Sequence, residues 1–304
     1  MRSEYLKIER VEFTVTGHCS GNCLHCSVGG RQRGRMHHVP EAESVALLRR
    51  VGEVWPLRSV MTFGGEPLLY PELTCALHRA AAEAGARARQ LITNGFFSRD
   101  PARVAQVARM LADAGVNDVL LSVDAFHQAT IPLEAVRGFA RAVKATGMPL
   151  RLQPAWVVRR GHDNPWNRQT EAILADLADL DLPVGEGNDI FLSGRAAEHL
   201  AAYYPPREAD FTPACGRAPY TDPLTAVRSL SVEPDGTVRA CAIPIGNLRR
   251  EPIEAILMGY DPHAHPVCRA LLDGPEALLA LARERGISTR GCYTACDLCR
   301  RLNP

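Results

Sequence analysis

Apolar and polar positions along the chain switch repeatedly between two periods. Short β-type runs fall at Val11–Thr16, Ser59–Phe63, Ala88–Thr93, Asp118–Val123, Leu150–Val158 and Asp189–Leu192. Between them, Pro40–Val54 has helical spacing, with Val45, Leu47, Leu48 and Val51 on its inward side. Helices are likewise expected over Pro71–Ala84 and Pro101–Ala114, stopped by Gly85 and Gly115, over Leu133–Thr146, ended by Gly147, and over Arg168–Leu180. Strand and helix therefore alternate six times, the pattern of right-handed βαβ units around a parallel sheet. In such α/β folds ligands sit at the carboxyl ends of the strands. Those ends are where the polar and glycine-rich punctuation falls: a cysteine-bearing loop, Gly64-Gly65-Glu66-Pro67, Thr93-Asn94-Gly95 and Ser122-Val123-Asp124.

The pattern changes near Tyr203–Pro213, a turn-rich linker that places a boundary near residue 208. Beyond it Ser229–Ala240 reads as a β-hairpin turning at Pro234-Asp235-Gly236. Helices are expected at Pro252–Met258 and through Leu271–Arg285. The two expected domains are 1–208 and 209–304.

Composition narrows the possible functions. At 304 residues the chain can bury a substantial core, and its net charge of +1 comes from mixed acids and bases, which argues against a nucleic-acid partner. Ten cysteines, clustered rather than spread, do not make a disulfide scaffold. The charged first residues lack the apolar centre of a secretory signal, and no apolar run approaches the roughly 20 residues of a membrane helix. A cytoplasmic protein without a membrane partner is expected.

The chain is organised around Val11 to Gly30. After the first strand, Cys19, Cys23 and Cys26 follow at Cys-x3-Cys-x2-Cys spacing, with Gly21 and Asn22 letting the loop curl. Such a loop can aim three thiolates at one centre, as iron–sulfur clusters or zinc require. With three ligands from one loop, one metal corner stays open, unlike a closed structural site. A zinc loop, or three unrelated buried cysteines, remain the alternatives from spacing alone.

The run Cys19-Ser20-Gly21-Asn22-Cys23-Leu24-His25-Cys26 resembles the signature loop of the radical S-adenosylmethionine (SAM) superfamily, with His25 at its aromatic position. Gly64-Gly65-Glu66, one βα unit later, resembles that family's Gly-Gly-Glu motif. The resemblance implies a partial (β/α)6 TIM-like barrel and a [4Fe–4S] cluster whose open iron is chelated by SAM. It also implies a flavodoxin- or ferredoxin-type electron donor, and hydrogen-atom abstraction from substrate by a 5′-deoxyadenosyl radical. Gly64, Gly65 and Glu66 would meet the methionine ammonium, Glu66 as acceptor. Ser122 and Asp124 would reach the ribose or carboxylate, Asn94 is either a turn residue or a contact, and His127 is a candidate to touch substrate or move a proton. The family's fifth-strand glycine element is not recognisable in Leu150–Val158, where Gln153 and Pro154 stand instead.

Cys215, Cys241 after Gly236, and Cys296-Asp297-Leu298-Cys299 resemble the twitch domain, the shortened form of the SPASM domain. That resemblance implies a small α+β domain with a β-hairpin, holding an auxiliary [4Fe–4S] cluster on Cys215, Cys241, Cys296 and Cys299. Cys268 and Cys292 are left over, and Cys75 is expected in the core. The implied activity is that of a radical SAM oxidoreductase or modifying enzyme. Its substrate is expected to be a peptide side chain, although Cys19 lies too early for a preceding peptide-recognition domain. The alternative is a small molecule, a sugar or aminocyclitol, that is dehydrogenated or epimerised. A non-enzymatic zinc-binding interaction protein is the rival of another class.

Overall fold

Each parallel strand of this protein carries one apolar and one mixed face, and that asymmetry fixes which side receives the helices. The computed structural model describes residues 3–26, 38–206, 208–212, 215–218 and 221–303; Ser27 to Gly30 of the cysteine stretch and Pro213 of the linker lie outside them. The repeating part comprises β1 (Leu6–Thr14), α1 (Glu41–Val54), β2 (Ser59–Phe63), α2 (Pro71–Glu83), β3 (Ala88–Thr93), α3 (Pro101–Asp113), β4 (Asp118–Ser122), the short α4 (Ala125–Gln128), α5 (Leu133–Lys144) and β5 (Leu150–Gln153). There follow β6 (Ala155–Trp156), α6 (Pro165–Asp176), β7 (Asn188–Asp189) and α7 (Arg195–His199). The remainder is β8 (Val227–Val232), β9 (Thr237–Ala240), β10 (Ile243–Asn247), α8 (Ile253–Gly259), α9 (Pro266–Asp273), α10 (Pro275–Glu284) and α11 (Ala295–Leu302). The architecture is an α/β partial TIM-like barrel, as expected.

On β1 the alternation is explicit. Val11, Phe13 and Val15 are fully buried with Leu47, Leu48 and Val51 of α1 and Leu77 of α2. Arg10 and Glu12, on the opposite face, line the barrel interior. The same period puts Leu91, Val119, Leu121 and Leu152 against Val107 and Leu111 of α3 and Phe139 of α5. Low on the interior, a hydrogen-bonded chain crosses the strands. Arg10 bonds Glu12, Ser59 Oγ (3.4 Å) and Gln90 Oε1 (3.2 Å), Gln90 Nε2 donates to Asp118 Oδ2 (2.7 Å), and Arg151 pairs with Asp118 Oδ1 (3.0 Å). Sharing the charges this way satisfies polar groups that are half-buried on the barrel interior.

Three features depart from the sequence reading. The fifth strand divides at Pro154, which has no N–H to donate to the ladder. Beyond it β6 leaves the main sheet and pairs in parallel with β7, so the sixth strand is two residues long rather than Asp189–Leu192. The helix expected over Leu271–Arg285 is two helices, α9 and α10, because Gly274 (φ +109°) turns the chain and Pro275 starts a new first turn. The hairpin also gains a third strand, β10.

The largest difference lies in where the hairpin goes. β8 pairs in parallel with β1, Arg10 opposite Ser229 and Phe13 opposite Val232. One eight-stranded sheet results, in the order β10-β9-β8-β1-β2-β3-β4-β5. The C-terminal segment therefore extends the barrel wall at the edge of β1, and Leu230, Val232 and Val238 join the β1–α1 core.

Candidate active site

The cysteine loop leaves the end of β1 and is held by three distant parts of the chain. Gly21 N donates to Cys19 Sγ (3.3 Å), curling the loop on itself. Asn94, after β3, donates from Nδ2 to Ser20 Oγ (3.2 Å) and contacts Cys19 Sγ (3.5 Å). Thr130 Oγ1 accepts from Asn22 N (3.1 Å). Arg195, at the start of α7, bonds Asn22 O (2.9 Å), Asn22 Oδ1 (2.7 Å) and Cys23 O (3.0 Å) through Nη1, and its backbone N donates to Cys26 O (3.2 Å). Sequence reasoning missed Arg195 because nothing local links a residue over 170 positions away to the loop.

Gly64 and Gly65 press the end of β2 against the base of this loop. Gly65 N donates to Thr16 O and Glu66 N to His18 O, both at 2.7 Å. A Cβ on Gly64 (φ +131°) would lie 2.6 Å from Thr16 O, and one on Gly65 would overlap the His18 carbonyl. The glycines are thus required by backbone packing as well as by proximity to the cavity, which both of them line.

Glu66, expected as a ligand acceptor, already has three donors within the protein. Its side chain is fully buried and does not line the cavity; its carboxylate accepts from Leu68 N (2.9 Å), Thr93 Oγ1 (2.7 Å) and Asn94 N (2.8 Å). It ties the end of β2 to that of β3. Burial pushes its pKa up to about 7 against the pull of those three donors.

Asp124 is also engaged within the protein. It caps α4, accepting from Phe126 N and His127 N at 2.9 Å, and its second oxygen meets His127 Nδ1 at 2.7 Å. Burial acts to raise its pKa, but His127 and His25 outweigh that and hold it at about 2. Burial works to lower the His127 pKa, and Asp124 reverses it. His25 packs on Phe126 and His127, each ring at 4.9 Å, and burial lowers its pKa to about 4.

Cys19, Cys23, Cys26, His25, Gly64, Gly65, Asn94, Ser122, Asp124 and His127 all line a single cavity of ≈ 720 Å³. It continues down the barrel past Met61, Leu120 and Gln153 to Arg10 and Glu12, and reaches Thr221, Asp222 and Ser229 of the C-terminal segment.

The residues present fit an iron–sulfur centre. Gly21 leaves room between two of the sulfurs: a Cβ there would lie 3.4 Å from Cys23 Sγ and 3.6 Å from Cys19 Sγ. Burial pushes the Cys19 thiol up to about 11 and Cys23 higher still, so thiolates here call for a cation among them.

In the C-terminal segment Cys241 sits in the turn between β9 and β10 with φ +54°, Cys268 is on α9, and Cys296 and Cys299 are on α11. α11 opens with a reciprocal Thr294–Asp297 capping box. Burial is the main cause of the raised pKa values of Cys215, Cys268 and Cys299, about 11, 12 and 12, and the neighbouring thiols raise them further. Cys215, Cys241, Cys268, Cys296 and Cys299 thus form one neighbourhood. Cys292 feels Arg301 and Asp297 instead. Cys75 is buried in the core, as expected.

Comparison with known proteins agrees with this geometry. Residues 13–149 match the model of the Radical SAM superfamily. A probable GTP 3′,8-cyclase of Sulfolobus acidocaldarius is 25% identical over 197 residues, 61% of this chain and 60% of that protein. A GTP 3′,8-cyclase of Erythrobacter litoralis is 28% identical over 202 residues, 61% of this chain and 54% of that protein. The chain thus spans little more than half the length of these relatives. Among solved structures, a histidine-tagged form of anSMEcpe with bound AdoMet superposes with a TM-score of 0.54 at 13% identity, covering 82% of this chain and 80% of that one. No helix among the described residues is long and apolar enough to cross a membrane. The segment that matches the superfamily model carries the cysteine loop and the first four strand ends.

Proposed function

We propose that this protein is a radical SAM enzyme acting on a small polar substrate. The observation that carries the reading is the convergence of three cysteines and four strand ends on one cavity that runs on into the barrel. Cys19, Cys23 and Cys26 would hold the [4Fe–4S] cluster. When bound, the cluster and SAM supply a 5′-deoxyadenosyl radical that takes a hydrogen atom from substrate. The protein's own residues do the rest. Asn94, Thr130 and Arg195 fix the loop, and Gly64, Gly65 and Ser122, which line the cavity beside it, would offer backbone and hydroxyl groups to SAM. Because the Glu66 and Asp124 carboxylates are already engaged, they act through the backbone they fasten.

The substrate reading rests on the lower cavity, where Gln153, Asp222 and Ser229, beside the Arg10–Glu12 pair, give polar lining to a chamber walled by β8. This favours a small molecule over the peptide expected from the sequence. The relatives' names make GTP the first compound to try. Against it, both arginines among the described lining residues are already engaged, Arg10 by Glu12 and Gln90, Arg195 by the cysteine loop. The auxiliary cluster on Cys215, Cys241, Cys296 and Cys299, and a flavodoxin- or ferredoxin-type donor, belong to the same proposal.

Anaerobic reconstitution with iron and sulfide, followed by SAM and dithionite, tests it. Formation of 5′-deoxyadenosine, lost in Cys23→Ser, is expected; SAM left intact would sink the proposal. Roughly eight irons per chain, falling to four in Cys296→Ser/Cys299→Ser, would support the auxiliary cluster. Four in both proteins would remove it.

A further inference from the structure

At the cysteine loop, two histidines that the cluster does not use stand close to one of its cysteines. Cys23, His25 and His127 each offer a ligand atom, and the three atoms lie within 4.8 Å of one another. Two of the three come from the loop and the third from α4, whose first turn Asp124 fixes by its cap. The His25 and His127 rings meet edge to face at 70°. His25 Nδ1 is buried and has no hydrogen-bond partner. A neutral imidazole with an unpartnered buried nitrogen is costly unless something occupies it.

We propose that Cys23, His25 and His127 form a site for one divalent transition-metal ion of the zinc class, filled when the loop holds no cluster. The chemistry of the donors suits it. One thiolate and two imidazoles are a borderline-soft set, and a fourth position opens on the cavity for water. Metal–sulfur and metal–nitrogen bonds of about 2.3 and 2.0 Å in a tetrahedron ask the three ligand atoms to close by at most roughly 1.5 Å. Asp124 already holds His127 Nδ1 at 2.7 Å, leaving Nε2 for the ion, the carboxylate–histidine–metal arrangement that orients such ligands.

Cys23 is shared between this ion and the cluster, so the two exclude each other. Metal supply then decides what the loop holds: a zinc-class ion occupies Cys23 and blocks cluster assembly until a chelator or a cluster donor removes it. This site depends on the cavity geometry and not on SAM cleavage. Absence of 5′-deoxyadenosine would therefore overturn the proposed function and leave the metal site standing.

The test uses cluster-free full-length chain, stripped under reductant, with Cys296→Ser/Cys299→Ser to silence the C-terminal thiols. Co²⁺ is titrated anaerobically and followed by its visible bands, then displaced with Zn²⁺. One Co²⁺ per chain is expected, with tetrahedral bands and a thiolate-to-metal transition. His25→Phe, which keeps the ring packing, and His127→Gln should each weaken binding at least 10-fold, and Asp124→Asn about 10-fold. Cys19→Ser and Cys26→Ser should leave the affinity within about threefold. Loss of the ion in Cys19→Ser or Cys26→Ser, wild-type affinity in both histidine variants, or no Co²⁺ bound would each overturn the proposal. The same histidine variants in the otherwise wild-type chain should lose one equivalent of Co²⁺, a readout that does not rely on the double serine background.

Discussion

Gly65→Ala adds one methyl group at the point where β2 meets the cysteine loop, and the structure leaves it nowhere to go. The new Cβ would overlap the His18 carbonyl and lie 2.9 Å from the Gly17 carbonyl carbon. Those neighbours are backbone, so no side-chain rotation relieves the clash, and the segment 16–18 must retreat by roughly 1 Å. Overpacking of this kind costs about 1–3 kcal/mol. The retreat also stretches the bonds from Gly65 N to Thr16 O and from Glu66 N to His18 O, each worth about 0.5–1.5 kcal/mol. A loss of about 3 kcal/mol follows, roughly a hundredfold rise in opening of the loop base. The assay is paired: the urea midpoint by circular dichroism, and the iron retained after anaerobic gel filtration of reconstituted protein. Both should fall. Gly138→Ala supplies the control, since Gly138 lies within α5 with nothing within 4 Å of its added Cβ. It should stabilise by about 0.8–1 kcal/mol and keep its iron. A Gly65→Ala protein with wild-type midpoint and iron would refute the packing argument.

Arg195→Ala removes three bonds from the loop carbonyl and amide groups, so the chelator-driven loss of iron should quicken by about tenfold or more while the thermal midpoint moves by only a few degrees; Arg195→Lys, unable to span the same acceptors, should recover only part of this. His78 is fully buried against Thr62 Oγ1 (2.8 Å), and burial lowers its pKa to about 3. The unfolded chain therefore binds the extra proton between about pH 3 and 6.5, and stability is lost as pH falls below about 6.5, by about 1.4 kcal/mol per unit from this group. Urea titrations at about pH 7, 6 and 5 should show that slope, and His78→Asn should flatten it; an unchanged slope would exclude His78 as its source. Asp118→Ala breaks the barrel-floor chain between Gln90 and Arg151 and should cost about 1–3 kcal/mol without changing iron content, as measured by denaturation and metal analysis.

The local signals in this chain were strong enough to specify its repeating part. The periods of two and 3.6, with glycine stops, placed β2–β4 and α1–α3 to within about one residue, because each element buries its own apolar stripe, whereas β1 begins at Leu6, well before the expected Val11. Cys19, Cys23, Cys26, Gly64, Gly65, Asn94, Ser122 and Asp124 could all be named because a parallel βαβ sheet brings successive strand ends to one side whatever the details of packing. Side-chain direction could not be read that way. Glu66 and Asp124 look like free carboxylates in one dimension, whereas in the fold each already accepts from three donors, contributed across strands or by a helix cap. Arg195 gave no signal, since its partners are set by how α7 folds back over the loop. The hairpin's turn was legible from Pro234-Asp235-Gly236, whereas its place beside β1 was decided by an unpaired strand edge and an apolar face that Leu230 and Val232 could cover. Periodicity records which face of an element is buried; which neighbour buries it, and which polar groups then meet, is set by long-range pairing that only the folded chain defines.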